Sequence, residues 1–235
     1  GNYAVGMAKN LLEAGVADIA LAGGVDVFSR VAFAGFQRLL SLTPDVCRPF
    51  DQNRRGLVVG EGCGMVVLEK KNSRPGIQRY GAVLGVGLSS NAFHMTAPHQ
   101  NGEGELAAMY AAVLAGGVSP AAVDYISAHG TGTRANDRVE ALAITRLFGE
   151  GKTPPVSSIK SVLGHSMGAA SILELIACCL MMRRSVIPPT ANLEQLDEAC
   201  RLDIVPNLAR EARVDTVLSN SFAFGGQTSS VLLVK

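Results

Sequence analysis

The sequence predicts an α/β fold in which helices and strands pack in layers. Strand-like, β-branched runs alternate with helix-length apolar patterns along most of the 235 residues. Alternation of this kind is typical of packed α/β layers. Hydrophobic residues make up 48% of the chain and charged residues 17%, and there are 26 glycines. This is the composition of a compact α/β protein with a sizeable core, not of a disordered chain.

The first part of the chain carries a short series of elements. A helical pattern over residues 2–14 stops at Gly15, where the helix should end. A short strand over 18–22 should be followed by a turn at Gly23-Gly24. The other elements expected here are a short helix with a loop over 30–45 and strands at 57–59 and 65–68.

A second, longer series follows a predicted linker. Residues 72–78 contain Ser73, Pro75 and Gly76 and are the best linker candidate. Beyond them we expect strands at 80–86, 123–127, 155–159, 201–205, 214–219 and 229–234, and helices at 103–115, 137–148 and 167–184. We therefore divide the chain into residues 1–75 and residues 76–235.

Charge, cysteine content and hydropathy limit the partners and the cellular location that the sequence predicts. A net charge of +1 exerts no overall attraction on nucleic acid, so we expect no nucleic-acid partner. Five cysteines form no paired framework, which favours reduced thiols and a cytoplasmic location. The most membrane-like run, Ser166 to Met182, has Glu174 at its middle. It predicts a buried core helix and no membrane span.

Two histidines lie in glycine-rich turns that follow strand-like runs. His129 comes after residues 123–127 and His165 after residues 155–159, and a helical pattern follows each histidine. Strand ends that lead into helices are where open α/β sheets place ligands and chemistry. Both imidazoles could therefore face one crevice, with Lys160 only five residues before the second.

Several motifs resemble those of the β-ketoacyl synthases, which elongate acyl chains on carrier proteins. In chain order the matching segments are Gly1–Gly6, Arg48–Asp51 with Gly56 and Gly60–Gly62, His129–Thr133 with Asn136, Asp137 and Glu140, Lys160–His165, and Ser219–Gly226. The resemblance runs from the first residue to the last. It implies a thiolase-like αβαβα layered fold whose first half is incomplete here and whose second half is complete.

The resemblance also implies that the nucleophile lies outside this chain. The family's catalytic cysteine precedes the residue that matches Gly1 by about three positions, and no cysteine present here replaces it by motif. We expect the chain to be the C-terminal portion of a synthase. A truncated sheet exposes unsatisfied edges, so the chain should not be stable alone.

Decarboxylative condensation of two thioesters creates an enolate and then a tetrahedral oxyanion, which preorganised donors stabilise. The resemblance assigns His129 and His165 to the extender thioester and its decarboxylation, with Lys160 as the neighbouring cation. Neutral imidazoles can donate an N–H without being consumed, and burial or a nearby cation keeps them neutral. The matching acids in the family, Glu140 and Glu174 here, are buried near the lysine and the histidines.

Substrate delivery in the family involves further residues. The residues matching Thr131 and Thr133 hydrogen-bond the phosphopantetheine arm, although both hydroxyls could equally bond local backbone. Phe224 matches the residue that gates the acyl pocket and helps to form the oxyanion hole. The arginine matching Arg54 contacts the acyl carrier protein, although Arg54-Arg55 could also be a solvated pair. No metal and no cofactor of the enzyme's own are implied.

One departure and two alternatives remain. The family most often continues Thr-Asn after the glycine pair, whereas this chain has Gln227-Thr228. This substitution is a weak hint of polyketide or polyene synthesis instead of fatty acid synthesis. A non-catalytic chain-length factor is the main alternative, and a thiolase or chalcone synthase relative is the other. The expected partners are the N-terminal segment of the synthase, a second copy or a heterodimeric subunit, and the carrier protein.

Overall fold

The computed structural model describes residues 1–71 and 73–235. Its helices and strands, in chain order, are α1 (Asn2–Glu13), β1 (Ile19–Asp26), α2 (Arg30–Arg38), β2 (Gly62–Glu69), β3 (Ala82–Ser90), α3 (Glu103–Ala115), β4 (Tyr125–Ser127), α4 (Arg134–Phe148), β5 (Val156–Ser157), α5 (Lys160–Leu163), α6 (Ala170–Arg184), β6 (Val186–Ile187), β7 (Arg210–Glu211), β8 (Thr216–Phe222) and β9 (Gln227–Val234). The predicted linker begins at position 72, which lies outside the described residues.

A five-stranded sheet with the order β3-β9-β8-β4-β5 forms the centre of the molecule. Strand β4 runs parallel to β5 and β8, and β9 runs antiparallel to β8 and β3. Successive side chains of a strand point to opposite faces. Accordingly, Ile126 and Leu218 join the core with α3 and α4, whereas their neighbours Tyr125 and Val217 join the core with α1 and α6. Both faces of this sheet are therefore buried.

Strands β1 and β2 form a separate antiparallel ribbon, paired from Ile19 with Glu69 to Asp26 with Gly62. One face of the ribbon packs on the α1–α6 layer, where Ala22 is buried. The opposite face exposes Leu21, Val25 and Met65, each at least 60% accessible. The order of layers is thus α3–α4, central sheet, α1–α6 and β1–β2. It agrees with the predicted thiolase-like arrangement.

The predicted turn at Gly23-Gly24 is wrong, because β1 continues straight through both residues. A Cβ atom on Gly24 would lie 2.4 Å from the carbonyl oxygen of Gly168. Glycine is needed at this position because two segments of backbone approach closely, not because the chain reverses. The segments expected as strands at 57–59 and 201–205 form isolated bridges only.

Helix α6 carries the apolar run around Glu174 and lies in the core. Its side chains Ile172 and Leu175 are buried against the central sheet layer. Within the described ranges, no helix combines the length and the apolar character that crossing a membrane requires.

Candidate active site

The structure brings the two histidines together. His129 follows the end of β4, and His165 follows α5. Their ring centroids are 5.3 Å apart and the ring planes are nearly perpendicular, at 84°. His129 is 4% exposed and His165 is partly exposed, so the pair lies where the core meets the surface of the described chain.

The turn around His129 is held by a buried carboxylate. The backbone N–H groups of His129 and Gly130 each donate to one oxygen of Glu140, both at 2.8 Å. The side-chain amide of Asn220 donates to the same carboxylate at 3.3 Å. Glu140 is completely buried on α4, and burial raises its pKa to about 7. Glu140 therefore shapes the turn, while the imidazole of His129 stays free for a substrate.

The two imidazoles are neutral for physical reasons that the structure shows. Burial is the main cause of the lowered pKa of His129, and the charges of Lys160 and His165 lower it further. Burial, followed by the charge of Lys160, lowers the pKa of His165 to about 3. An uncharged imidazole keeps one N–H donor and one acceptor nitrogen. Both rings can then donate a hydrogen bond to an oxygen that gains negative charge.

The proton of His165 is directed by the backbone. Its Nδ1 accepts the N–H of Met167 at 3.2 Å, which leaves Nε2 as the protonated nitrogen. The backbone of His165 pairs with the distant segment Val58–Gly60. Its N–H donates to the Val58 carbonyl at 2.7 Å, and its carbonyl accepts the Gly60 N–H at 2.9 Å. The Nδ1 of His129 is buried and has no hydrogen-bond partner in the protein.

Lys160 and Glu174 form a buried ion pair beside the histidines. Both side chains are 2% exposed, and the Nζ of Lys160 donates to Oε1 of Glu174. Burial raises the pKa of Glu174, and the lysine opposes that shift. The lysine is therefore not a surface residue. Its positive charge is close enough to both imidazoles to contribute to their lowered pKa values.

The amino end of α1 points into the same region. The backbone N–H of Asn2 donates to the Ser171 hydroxyl on α6 at 3.1 Å. Glu174 lies one turn further along that helix. Helix amino ends stabilise negative charge and lower the pKa of nearby thiols. A thiolate positioned at this helix end would therefore be favoured.

Four of the five cysteines are poorly suited to nucleophilic chemistry. Burial raises the pKa of Cys47 and Cys200 to about 12 and that of Cys179 to about 11, and it raises the pKa of Cys178 as well. A thiolate is the reactive form, so these thiols are inert. Cys63 is exposed on the β1–β2 ribbon opposite Val25.

The two threonines of the first turn lie at the edge of an open pocket. Their hydroxyls are 2.9 Å apart, with Thr131 buried and Thr133 partly exposed. Thr133 lines a pocket of about 390 Å³ together with Arg55 and Arg134. The hydroxyl of Thr133 is therefore accessible to a ligand that enters from this side.

The placement of Arg54 corrects the interpretation made from the sequence. Its side chain is 2% exposed and pairs with Asp197 at 2.6 Å and with Asp137 at 3.4 Å. It also donates to the backbone carbonyls of Thr133 and Arg134, at 3.4 and 3.2 Å. Arg54 therefore braces the first histidine turn from within. It is neither a solvated arginine nor accessible to a docking partner.

Two residues inside the quoted motifs have roles that the sequence analysis did not assign. Asp137 is completely buried and accepts the N–H groups of Phe50 at 2.9 Å and Gly132 at 3.2 Å. Asn220 links the Glu140 carboxylate to Ser230. The sequence could not assign these roles, because partners such as Phe50 for Asp137 and Glu140 for Asn220 lie far away in sequence.

The loop around Phe224 joins β8 to β9 beside the histidines. Phe222 is buried with its ring 5.6 Å from that of His129, in accord with a packing role. Phe224 is 47% exposed and packs on Phe36 of α2 at 5.5 Å. Among the described residues, no cluster of three or more histidine, cysteine, aspartate or glutamate side chains is arranged to hold a metal ion.

Comparison with known proteins agrees with this geometry. The family model described as "Beta-ketoacyl synthase, N-terminal domain" matches residues 1–74, and "Beta-ketoacyl synthase, C-terminal domain" matches residues 80–194. The chain belongs to the β-ketoacyl synthase family. Its thiolase-like α/β fold is shared with solved ketosynthases, including "The ishigamide ketosynthase/chain length factor". That structure has a TM-score of 0.96 and 46% identity over 100% of this chain and 58% of the other.

Two further relatives resemble the chain at similar levels. Nodulation protein E of Rhizobium meliloti is 44% identical over 238 residues, which is 100% of this chain and 59% of the relative. The 3-oxoacyl-[acyl-carrier-protein] synthase 2 of Rhizobium meliloti (strain 1021) is 41% identical over 244 residues, 99% of this chain and 58% of the relative. The chain thus spans somewhat more than half the length of the synthases it matches.

Proposed function

We propose that the synthase containing this chain catalyses decarboxylative Claisen condensation of an acyl thioester with a malonyl-type extender. The observation that carries this proposal is the pair of neutral imidazoles, 5.3 Å apart, next to the buried Lys160–Glu174 pair. Family membership supports the same reaction class.

In the proposed reaction, a cysteine supplied by a segment outside this chain first accepts the acyl group and releases the carrier thiol. The malonyl thioester then loses CO2, and its bonding electrons pass to the α-carbon to form an enolate. That carbon attacks the acyl-cysteine carbonyl, and the cysteine leaves as thiolate. The N–H donors of His129 and His165 stabilise the enolate oxygen, because fixed dipoles aimed at developing charge lower the barrier.

The proposed nucleophile fits the amino end of α1, where the N–H of Asn2 donates to the Ser171 hydroxyl on α6, one turn before Glu174. The exposed apolar face of β1–β2, with Leu21, Val25 and Met65, supports coverage by further synthase sequence. We assign that face to the N-terminal segment of the same enzyme, because contiguous exposed apolar surface marks an interface. The five free thiols support a reducing, cytoplasmic compartment.

Carrier-bound substrates fit the basic edge of the pocket at Thr133. Arg55 and Arg134 are exposed there, although Arg55 also pairs with Asp45 at 3.0 Å. An acidic carrier protein docked at this edge would direct its phosphopantetheine arm past Thr133. The acyl-carrier-protein synthase and the ketosynthase–chain-length-factor assembly among the relatives support such a carrier and a second subunit, as a homodimer or a heterodimer.

The test is an assay of the full-length synthase with an acyl carrier thioester and malonyl carrier protein. We expect CO2 release and a β-ketoacyl product of matching mass, with both lost in His129→Ala. A protein that folds and binds its partner subunit, but forms neither product, would instead be a non-catalytic chain-length factor. Retention of both histidines and Lys160 favours the catalytic outcome.

A further inference from the structure

The Phe224 ring contacts an aromatic ring outside its own loop. It packs on Phe36, with centroids 5.5 Å apart and an interplanar angle of 36°. Phe224 remains 47% exposed, and the helix that carries Phe36 has no buried residue. The contact therefore joins a half-exposed ring to a helix that lies on the surface of the described chain.

The backbone after Phe224 is built to turn. Gly225 and Gly226 have φ values of 81° and 79°, in the left-handed region that favours glycine. No atom lies within 4 Å of the position that a Cβ on Gly225 would take. Gly225 therefore has open space beside it, whereas a Cβ on Gly226 would lie 3.2–3.3 Å from atoms of Asn91 and Ala92.

The flanks of the loop are fixed, in contrast. The Gly225 N–H donates to the Met95 carbonyl at 2.7 Å, and the Asn91 N–H donates to the Gly226 carbonyl at 2.8 Å. Asn91 is itself anchored through its side chain to Glu105 at 2.8 Å. Thr228, at the position where the chain departs from its family, is completely buried and donates to the Gly104 carbonyl at 3.0 Å.

A hinge confined to Phe224 and the open side of Gly225 follows, because Gly226 is buried and held by Asn91. With the base of the loop fastened, the orientation of the Phe224 ring depends on what its face meets. Phe36 is the aromatic ring that it meets in the described chain.

We propose that Phe36 is a positioning residue that holds the Phe224 ring and so sets how readily the loop over the acyl site opens. This inference rests on the proposed function and on the gating of the acyl pocket that the family resemblance implies for Phe224. Loss of the Phe36 ring removes one aromatic pair from the closed arrangement and leaves the hinge intact. An aromatic pair of this kind changes a two-state population by about two- to tenfold.

Phe36→Ala should change the rate of acyl transfer but not the rate of malonyl decarboxylation. Acyl transfer to the nucleophile requires the loop to admit a chain, so it should become about two- to tenfold faster in Phe36→Ala. Decarboxylation of malonyl carrier protein depends on His129 and His165 and should not change. The difference in acyl transfer rate between short and long acyl donors should decrease, because a Phe224 ring that is held less firmly excludes long chains less well.

The experiment uses the full-length synthase with 4-fluorophenylalanine at position 224. Fluorine NMR spectra are compared for Phe36→Ala, for the conservative Phe36→Tyr, and for the control Phe33→Ala. Phe33 lies on the same helix, is 40% exposed and packs on Phe28 instead. The same variants are assayed for acyl-enzyme formation by intact mass and for malonyl decarboxylation.

We expect Phe36→Ala to move or broaden the fluorine resonance and to accelerate acyl transfer, while Phe36→Tyr and Phe33→Ala resemble the parent. An unmoved resonance, an unchanged acyl transfer rate, or an equal effect of Phe33→Ala would overturn the inference. If the parent synthase forms no acyl-enzyme at all, the proposed function and the gating role fall together. The fluorine spectra would still decide whether Phe36 positions the ring.

Discussion

The two histidine turns present the same side chain to one crevice but are built differently. In the first turn, the carboxylates of Glu140 and Asp137 accept three backbone N–H groups. In the second, the backbone around His165 pairs directly with the segment at Val58 and Gly60. Buried carboxylates therefore hold the first turn, whereas backbone pairing with a distant segment holds the chain at His165.

Lys160 is the element that the turns share. Its charge lowers the pKa of both histidines, while its ammonium group is paired with Glu174. Burial is the larger cause of both lowered pKa values, and this one buried cation adds to it, even though different parts of the chain hold the two rings in place.

The largest expected effect is that of Lys160→Ala, which acts on both turns at once. It leaves the Glu174 carboxylate buried without its partner, a loss of about 3–5 kcal/mol in the free energy of unfolding. Urea unfolding of the full-length synthase measures this loss. The double variant Lys160→Ala/Glu174→Gln should regain part of it, and a mild effect of the single variant would contradict the buried pair.

His129→Ala and His165→Ala test whether the turns serve one purpose. Each should lower malonyl decarboxylation by about 10²–10³-fold, the effect of losing one preorganised donor. The loss should fall on turnover more than on the Michaelis constant, with the melting temperature preserved. Wild-type decarboxylation in either variant would assign that histidine a structural role. The two turns would then serve different purposes.

Arg54→Lys acts on the first turn only. Lysine keeps the charge but loses the planar fork that reaches the Thr133 and Arg134 carbonyls, so stability should fall by about 1–3 kcal/mol. Arg55→Lys is the matched surface control and should change stability by less than about 0.5 kcal/mol. Equal effects of the two variants in urea unfolding would show that Arg54 does not brace the turn.

The first turn should also make the stability of the protein depend on pH, through Glu140. Burial raises the pKa of Glu140 from 4.5 to about 7, so the unfolded chain loses this proton at lower pH than the folded protein. The associated stability is present below pH 4.5 and is lost as the pH rises through about 7. Glu140→Gln should flatten this part of the unfolding profile. An unchanged slope would mean that Glu140 does not titrate in this window.

The smallest expected effect lies at the outer edge of the first turn. Arg134→Glu should raise the Michaelis constant for carrier-bound substrate by a few fold at low salt, because exposed charges act through encounter and are screened. A small soluble thioester should react as before. A penalty that persists at high ionic strength, or that affects both substrates, would place the carrier elsewhere.

Much of the site could be predicted from sequence because its groups lie in local motifs. His129, Lys160 and His165 occupy short glycine-rich turns whose position after strands is a local property. The helices α1 and α3 were predicted to within one residue at each end, since an amphipathic or apolar period ends at a recognisable residue.

The sequence by itself determined the α/β class, the family and the two histidines that the structure brings together. Only the tertiary structure decided that Arg54 is buried against Asp137 and Asp197, that β1 runs straight through Gly23-Gly24, and that Phe224 meets Phe36. The physical reason is the distance along the sequence over which each interaction acts. Turn and helix preferences act over a few residues, whereas burial and ion pairing depend on which distant segments the packed layers bring into contact.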